Sequence, residues 1–260
     1  LPPLEYRLQY VGATCNAQSV YVTGGLSHST GGCSDQIFRL DLNAQAWVRD
    51  VRCKTTCKRF GHSAVFDKEG RMWLLGGLVA EESPLVKSLE TSTGISSSST
   101  SLLEDADVVV VNEGDPSHMT NDAEEASSQI YKTTASTEYY CPLLEKWVQG
   151  PDLQLPRVWA HAFCCNGEIY IVGGDANEFG QVSMQPTIEK YDTSIGTWEV
   201  ITTFPRPRRV FSCNYIGDKI YVLGGRGTHY DTMNDYDCYN TRTHVWEASS
   251  EDFEVNFPRS

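Results

Sequence analysis

The sequence predicts an all-β fold assembled from about four copies of one unit of roughly four short strands. Three observations carry that prediction. Four glycine pairs, Gly24-Gly25, Gly76-Gly77, Gly173-Gly174 and Gly224-Gly225, each close a short strand-like run. Each pair has an aromatic residue three positions before its first glycine: Tyr21, Trp73, Tyr170 and Tyr221. Later in each unit comes a tryptophan (Trp47, Trp147, Trp198, Trp246), and seven residues before it stands Leu40, Tyr140, Tyr191 or Tyr239.

Successive first glycines lie 52, 97 and 51 residues apart (24 to 76, 76 to 173, 173 to 224), which sets a period of about 50 residues. The first unit, about 1–52, holds the strand Val20-Tyr21-Val22. The second, about 53–150, holds Met72-Trp73-Leu74-Leu75 and one large insertion. The third, about 151–202, carries Ile169-Tyr170-Ile171-Val172, and the fourth, about 203–250, carries Ile220-Tyr221-Val222-Leu223. Within 251–260, Phe257-Pro258-Arg259 matches Pro156-Arg157 and Pro207-Arg208, and reads as the start of a further unit. A double glycine removes side chains where the chain must bend and lie close to a neighbour. The tyrosines and tryptophans supply flat apolar surfaces for packing one unit on the next. These residues are architectural, and not a phosphate loop or an aromatic cage.

The insertion, 78–129, has eleven acidic residues and one base, Lys87. It is rich in Ser and Thr, a composition that predicts disorder. Its one strand-like stretch is Asp107-Val108-Val109-Val110-Val111-Asn112. The whole chain carries 34 acidic and 21 basic residues, a net −13. Removing the insertion's −10 leaves −3 on everything else. A phosphate-binding surface needs a concentrated basic face, so nucleic acid is excluded as a general partner. No unbroken apolar run exceeds four residues, so no segment is expected to span a membrane.

The nine cysteines lack a zinc spacing, and with no N-glycosylation sequon they read as reduced thiols of a cytoplasmic protein. No metal and no cofactor is expected. Nor does the sequence contain a zinc helix, a nucleophile elbow or a Walker loop. His62 and His161 read as equivalent repeat positions.

The unit beginning at Pro156-Arg157 runs through His161, Gly173-Gly174, Ile188-Glu189-Lys190-Tyr191-Asp192 and Trp198. It resembles the kelch repeat. That resemblance implies a β-propeller in which each unit supplies one four-stranded blade. About four blades are present, and the 208 residues outside the insertion fall short of the roughly 300 that six blades need. The expectation is therefore a fragment of a six-bladed ring.

Glu138-Tyr139-Tyr140, Glu189-Lys190-Tyr191-Asp192 and Asp237-Cys238-Tyr239 resemble the Glu-x-Tyr-Asp strand of kelch-like BTB proteins. This implies a non-enzymatic interaction module that recognises substrates for a cullin–RING ubiquitin ligase. Cullin would be held through BTB and BACK domains upstream. The alternative is a scaffold that binds actin or the cytoskeleton. A third reading is a secreted copper enzyme resembling galactose oxidase, which needs two His, two Tyr and a Cys–Tyr crosslink in one place.

Candidate binding residues gather at the unit junctions. Arg59, Arg157 and Arg208 recur 16 or 17 residues before the first glycine, a recurrence that suits bonds to neighbouring backbone carbonyls. Arg206, Arg209 and Arg226 do not recur. Together with Trp159 and His229 they make a candidate partner face, suited to capturing the carboxylates of an acidic peptide.

Overall fold

The structure is a computed structural model that describes residues 2–4, 6–27, 32–49, 54–80, 131–178, 181–229 and 231–247. Among these residues every regular element is a strand. Four antiparallel sheets of four strands each are laid down in chain order. Blade 1 comprises Gly12–Cys15, Ser19–Thr23, Ile37–Asp41 and Ala46–Arg49. Blade 2 comprises Ser63–Phe66, Met72–Leu75, Thr137–Cys141 and Lys146–Gln149. Blade 3 comprises His161–Cys165, Glu168–Val172, Thr187–Asp192 and Thr197–Thr203. Blade 4 comprises Ser212–Ile216, Lys219–Leu223, Tyr236–Asn240 and Val245–Glu247. The first strands of successive blades lie against one another, so they are innermost and the fourth strands lie outside. This is the blade arrangement of a β-propeller.

The offset of seven residues has a direct structural meaning. Leu40 faces Trp47, Tyr140 faces Trp147, Tyr191 faces Trp198 and Tyr239 faces Trp246 across the outer hairpins. In three blades the residue after the first partner folds the turn: Asp41, Asp192 and Asn240 each accept backbone N–H bonds through Oδ1.

The glycine pairs join blade to blade. Gly76 and Gly77 adopt φ of 64° and 98°, and the Gly77 N–H donates to the Arg157 carbonyl at 2.7 Å. A Cβ on Gly76 would sit 2.4 Å from that same oxygen. Gly24 and Gly25 repeat the arrangement on the Arg59 carbonyl. Only glycine fits both the left-handed backbone and the close approach.

Aromatic rings fill the spaces between blades. Tyr21 packs on Phe66, Phe163 on Tyr215 and Phe204 on Trp246. Trp73 meets Tyr191 and Trp198 with centroids 5.0 and 6.5 Å apart. Trp73 and Trp198 are fully enclosed.

Small sheets sit beside the blades, and one corrects an expectation. The sequence expectation places Leu78–Ala80 within the insertion 78–129. It is a strand, paired with Arg59–Phe60 on one side and Tyr131–Thr133 on the other. Its side chains explain this, since Leu78 is buried against Phe60 and Tyr131. The rest of the insertion, from 81 onward, and the expected further unit at 251–260 lie outside the described residues.

Candidate functional site

The four innermost strands begin in register. Gly12, Ser63, His161 and Ser212 each face the residue that precedes a glycine pair. His161 therefore matches Ser63, and His62 matches Ala160. The two histidines are one position apart and are not equivalent: His62 stands three residues after Arg59, and His161 four after Arg157.

Four positions upstream of that register point stand Leu8, Arg59, Arg157 and Arg208. Arg59 donates to the Gly76 carbonyl at 2.8 Å, Arg157 to Gly173 at 2.7 Å and Arg208 to Gly224 at 2.9 Å. Each guanidinium also meets an acid on the third strand of its own blade: Glu138, Glu189 or Asp237. All three arginines are 1% exposed. Their recurrence reflects an internal brace, which removes them from any partner face. Blade 1 lacks the brace, having Leu8 and Phe38 at the two positions, with Phe38 packed under Tyr6.

Arg206 is also engaged internally. It pairs with Asp235 and with Asp237, and donates to the Tyr236 carbonyl. The sequence offered no sign of this, since the acids lie about thirty residues away on another strand. Arg226 and His229 are exposed on the loop after the last glycine pair. Arg226 also forms an isolated backbone bridge with Arg209.

Two positions upstream of the register point, the chain turns left-handed in every blade. The φ angles are 55° at Tyr10, 64° at Gly61, 57° at Trp159 and 52° at Val210. Only one of the four is glycine. The conformation is held from outside: Gly61 N–H donates to Tyr10 O at 2.7 Å and Trp159 N–H to Gly61 O at 2.8 Å. These bonds run from blade to blade around the inner rim. The three side chains that this turn presents are large and open to solvent: Tyr10 at 53%, Trp159 at 51% and Val210 at 81% exposed. An αL backbone costs a bulky residue of order 1 kcal/mol or more, and strain of this kind concentrates at functional sites.

These residues surround a cavity of about 560 Å³ at the mouth of the inner strands. Its walls include Tyr10, Trp159, Val210 and Phe211, with His62, His161, Asp175 and Arg209 among them. His62 is enclosed and bonds Thr23 Oγ1 at 2.8 Å, and burial pushes it down to about 3. His161 meets the Phe211 carbonyl at 2.9 Å and is pushed down by burial as well. His62 ties blade 2 to blade 1, and His161 ties blade 3 to the chain entering blade 4. Asp175 is 5% exposed, and its Oδ1 accepts no hydrogen bond among the described residues. Burial raises its carboxyl against the opposing pull of Arg209.

The structure thus brings Trp159 and Arg209 into one cavity, and leaves Arg59, Arg157, Arg206 and Arg208 in internal bonds. Sequence reasoning missed Tyr10, Val210 and Asp175. The one available signal was Asp175 itself, a carboxylate following a glycine pair where two other units have leucine.

Comparison with known proteins agrees with this architecture. A family model described as the kelch motif matches residues 207–251, which contain all four strands of blade 4. Blade 4 therefore carries a kelch motif. Kelch-like protein 26 of Danio rerio is 31% identical over 121 residues, covering 45% of this chain and 19% of that protein. Kelch-like protein 23 of Pongo abelii is 23% identical over 244 residues, covering 93% of this chain and 33% of that protein. The chain therefore spans at most a third of the length of these curated relatives. The solved structure titled "Structure of YjhT" superposes with a TM-score of 0.64 at 13% identity, over 98% of this chain and 69% of that one. That likeness establishes the fold, a kelch-type β-propeller.

Proposed function

We propose that this kelch region is a non-enzymatic docking module whose axial cavity receives a segment of a partner protein. The observation that carries this reading is the left-handed turn at Tyr10, Trp159 and Val210. It holds large apolar side chains in solvent around a cavity, at an energetic cost that packing does not explain. Aromatic residues that are rigid and half-exposed are the usual anchors of protein interfaces.

Within that reading, the chain is the substrate-recognition part of an intracellular BTB-kelch adaptor for a cullin–RING ubiquitin ligase. Its support is the likeness to Kelch-like protein 23 along 93% of the chain. The expected partners are a substrate peptide at the cavity and a cullin held by domains outside this region.

The test is capture from lysate by the full-length protein, followed by mass spectrometry, with Trp159→Ala and Tyr10→Ala beside the wild type. Loss of a partner in both variants while cullin is retained is the expected result. Filamentous actin sedimenting with the protein, unaffected by either variant, would favour the cytoskeletal alternative. Capture unchanged by both variants, with neither cullin nor actin among the proteins, would overturn the proposal.

A further inference from the structure

Position by position, the residue after each glycine pair is Leu26, Leu78, Asp175 and Arg226. In blades 1 and 2 this residue belongs to a buried apolar cluster. Blade 3 places a carboxylate there, just as deeply buried. Its backbone is fixed at both ends, Val158 N–H donating to Asp175 O at 2.7 Å and Asp175 N–H to Val158 O at 2.9 Å. The carboxylate is thereby set one residue from Trp159, on the wall of the cavity.

Blades 1 and 2 fill this position without a charge, and among the described residues the carboxylate has an ion pair with Arg209 but no hydrogen bond at Oδ1. Arg209 Nε stands 3.8 Å from Oδ1, beyond hydrogen-bond reach. A buried carboxylate oxygen without a donor is costly, and such atoms are retained where something else supplies the donor. The same cavity is lined by the half-exposed indole of Trp159 and phenol of Tyr10, and aromatic rings attract a cation through their quadrupoles. The arginines that would have made the face suitable for an acidic peptide are, for the most part, occupied by internal acids.

We infer that the axial cavity takes the cationic side chain of a partner segment, a lysine or arginine, with Asp175 as its counter-charge and Trp159 and Tyr10 as its aromatic walls. This rests on the docking reading above and supplies the chemistry of its partner. The positively charged head pairs with the Asp175 carboxylate on the cavity wall, and its aliphatic stem lies along Val210 and Phe211.

The experiment uses short blocked peptides identical except for one central residue, Arg, Lys, Gln or Glu, titrated into the full chain with tryptophan emission as the readout. The Arg and Lys peptides should bind on the order of tenfold more tightly than the Gln peptide, the weight of one charge-assisted bond in a dry site. Asp175→Asn should erase that preference while leaving the Gln peptide unchanged. Asp175→Leu places here the residue that blades 1 and 2 use, and should erase it too, which guards against a folding defect in either variant. Arg209→Gln removes the competing cation and should widen the preference.

Equal binding of all four peptides, or a preference for Glu, would overturn the cation assignment while the docking reading stood. So would an Arg preference that survives Asp175→Asn and Asp175→Leu. No binding by any peptide, together with lysate capture that ignores Trp159→Ala, would sink both.

Discussion

Arg157 and Glu189 form an ion pair with both side chains wholly removed from water, Nη2 lying 2.8 Å from Oε1. The pair is also a hub. Arg157 bonds the Gly173 and Thr187 carbonyls, and Glu189 accepts the N–H groups of Gln154 and Leu155. Removing one partner strands a buried charge, so Glu189→Phe or Arg157→Leu alone should destabilise the chain by about 3–5 kcal/mol. The double variant Arg157→Leu/Glu189→Phe copies blade 1, which has Leu8 and Phe38 there. It should recover part of the loss, because no lone charge remains, but not the backbone bonds. Urea unfolding of the three variants measures this, and a double variant as unstable as the sum of the singles would contradict it.

Gly12 is needed for a different reason from the glycine pairs. A Cβ there would lie 2.4 Å from His62 Nε2 and 2.8 Å from Thr23 Oγ1, inside the bond that ties blade 1 to blade 2. Gly12→Ala should therefore cost roughly 1–3 kcal/mol through overpacking. His62→Ala puts at that position the residue blade 3 has in Ala160, and the two changes together should cost less than their sum. Strict additivity in thermal unfolding would show that the contact is not what Gly12 protects.

Acid should weaken the fold through His62. Burial holds its pKa at about 3 against an ordinary 6.5. Between those values the unfolded chain binds a proton that the folded chain does not. Stability is therefore flat above about pH 6.5 and falls as the pH drops below it, at most by about 1.4 kcal/mol per pH unit for this one group. His161, also pushed down by burial, acts in the same direction. In His62→Ala the slope of stability between pH 6 and 4 should shrink by about one proton's worth. An unchanged slope would rule His62 out as the acid-sensitive group.

Val210 carries a β-branched side chain at φ 52° and is 81% exposed. Val210→Gly copies Gly61, and Val210→Asn uses the side chain that best tolerates this backbone. Either should raise stability by about 0.5–1 kcal/mol, measured as a higher midpoint in urea. If the strain serves docking, the same variants should weaken partner capture. A drop in stability would mean that Val210 contributes packing on the rim.

Ala80 and Tyr131 are register partners at the open end of one hairpin, although fifty sequence positions separate them. Replacing residues 81–130 with Asn-Gly should close that hairpin with a two-residue turn. A shorter loop has less closure entropy to lose, so the melting temperature should hold or rise. Loss of cooperative melting in circular dichroism would show that the replaced segment supports the fold.

Much of this architecture was written in local residue patterns. The glycine pairs mark where left-handed backbone meets a neighbouring carbonyl, and no other residue can stand there. The seven-residue interval marks a cross-strand pair closed by a tight turn, so it repeats wherever the hairpin does. The recurring arginines marked the braces, since identical units need identical internal bonds. The site was another matter. Whether an arginine faces a partner or an internal acid depends on chain segments about thirty residues apart, as Arg206 shows with Asp235 and Asp237. The left-handed rim is occupied by Tyr10, Gly61, Trp159 and Val210, four residues with no shared preference for that conformation. It is imposed by hydrogen bonds between blades, such as Trp159 N–H to Gly61 O. Those contacts form only after the blades pack around an axis, so tertiary structure alone placed Asp175 beside Trp159 and made a cavity of them.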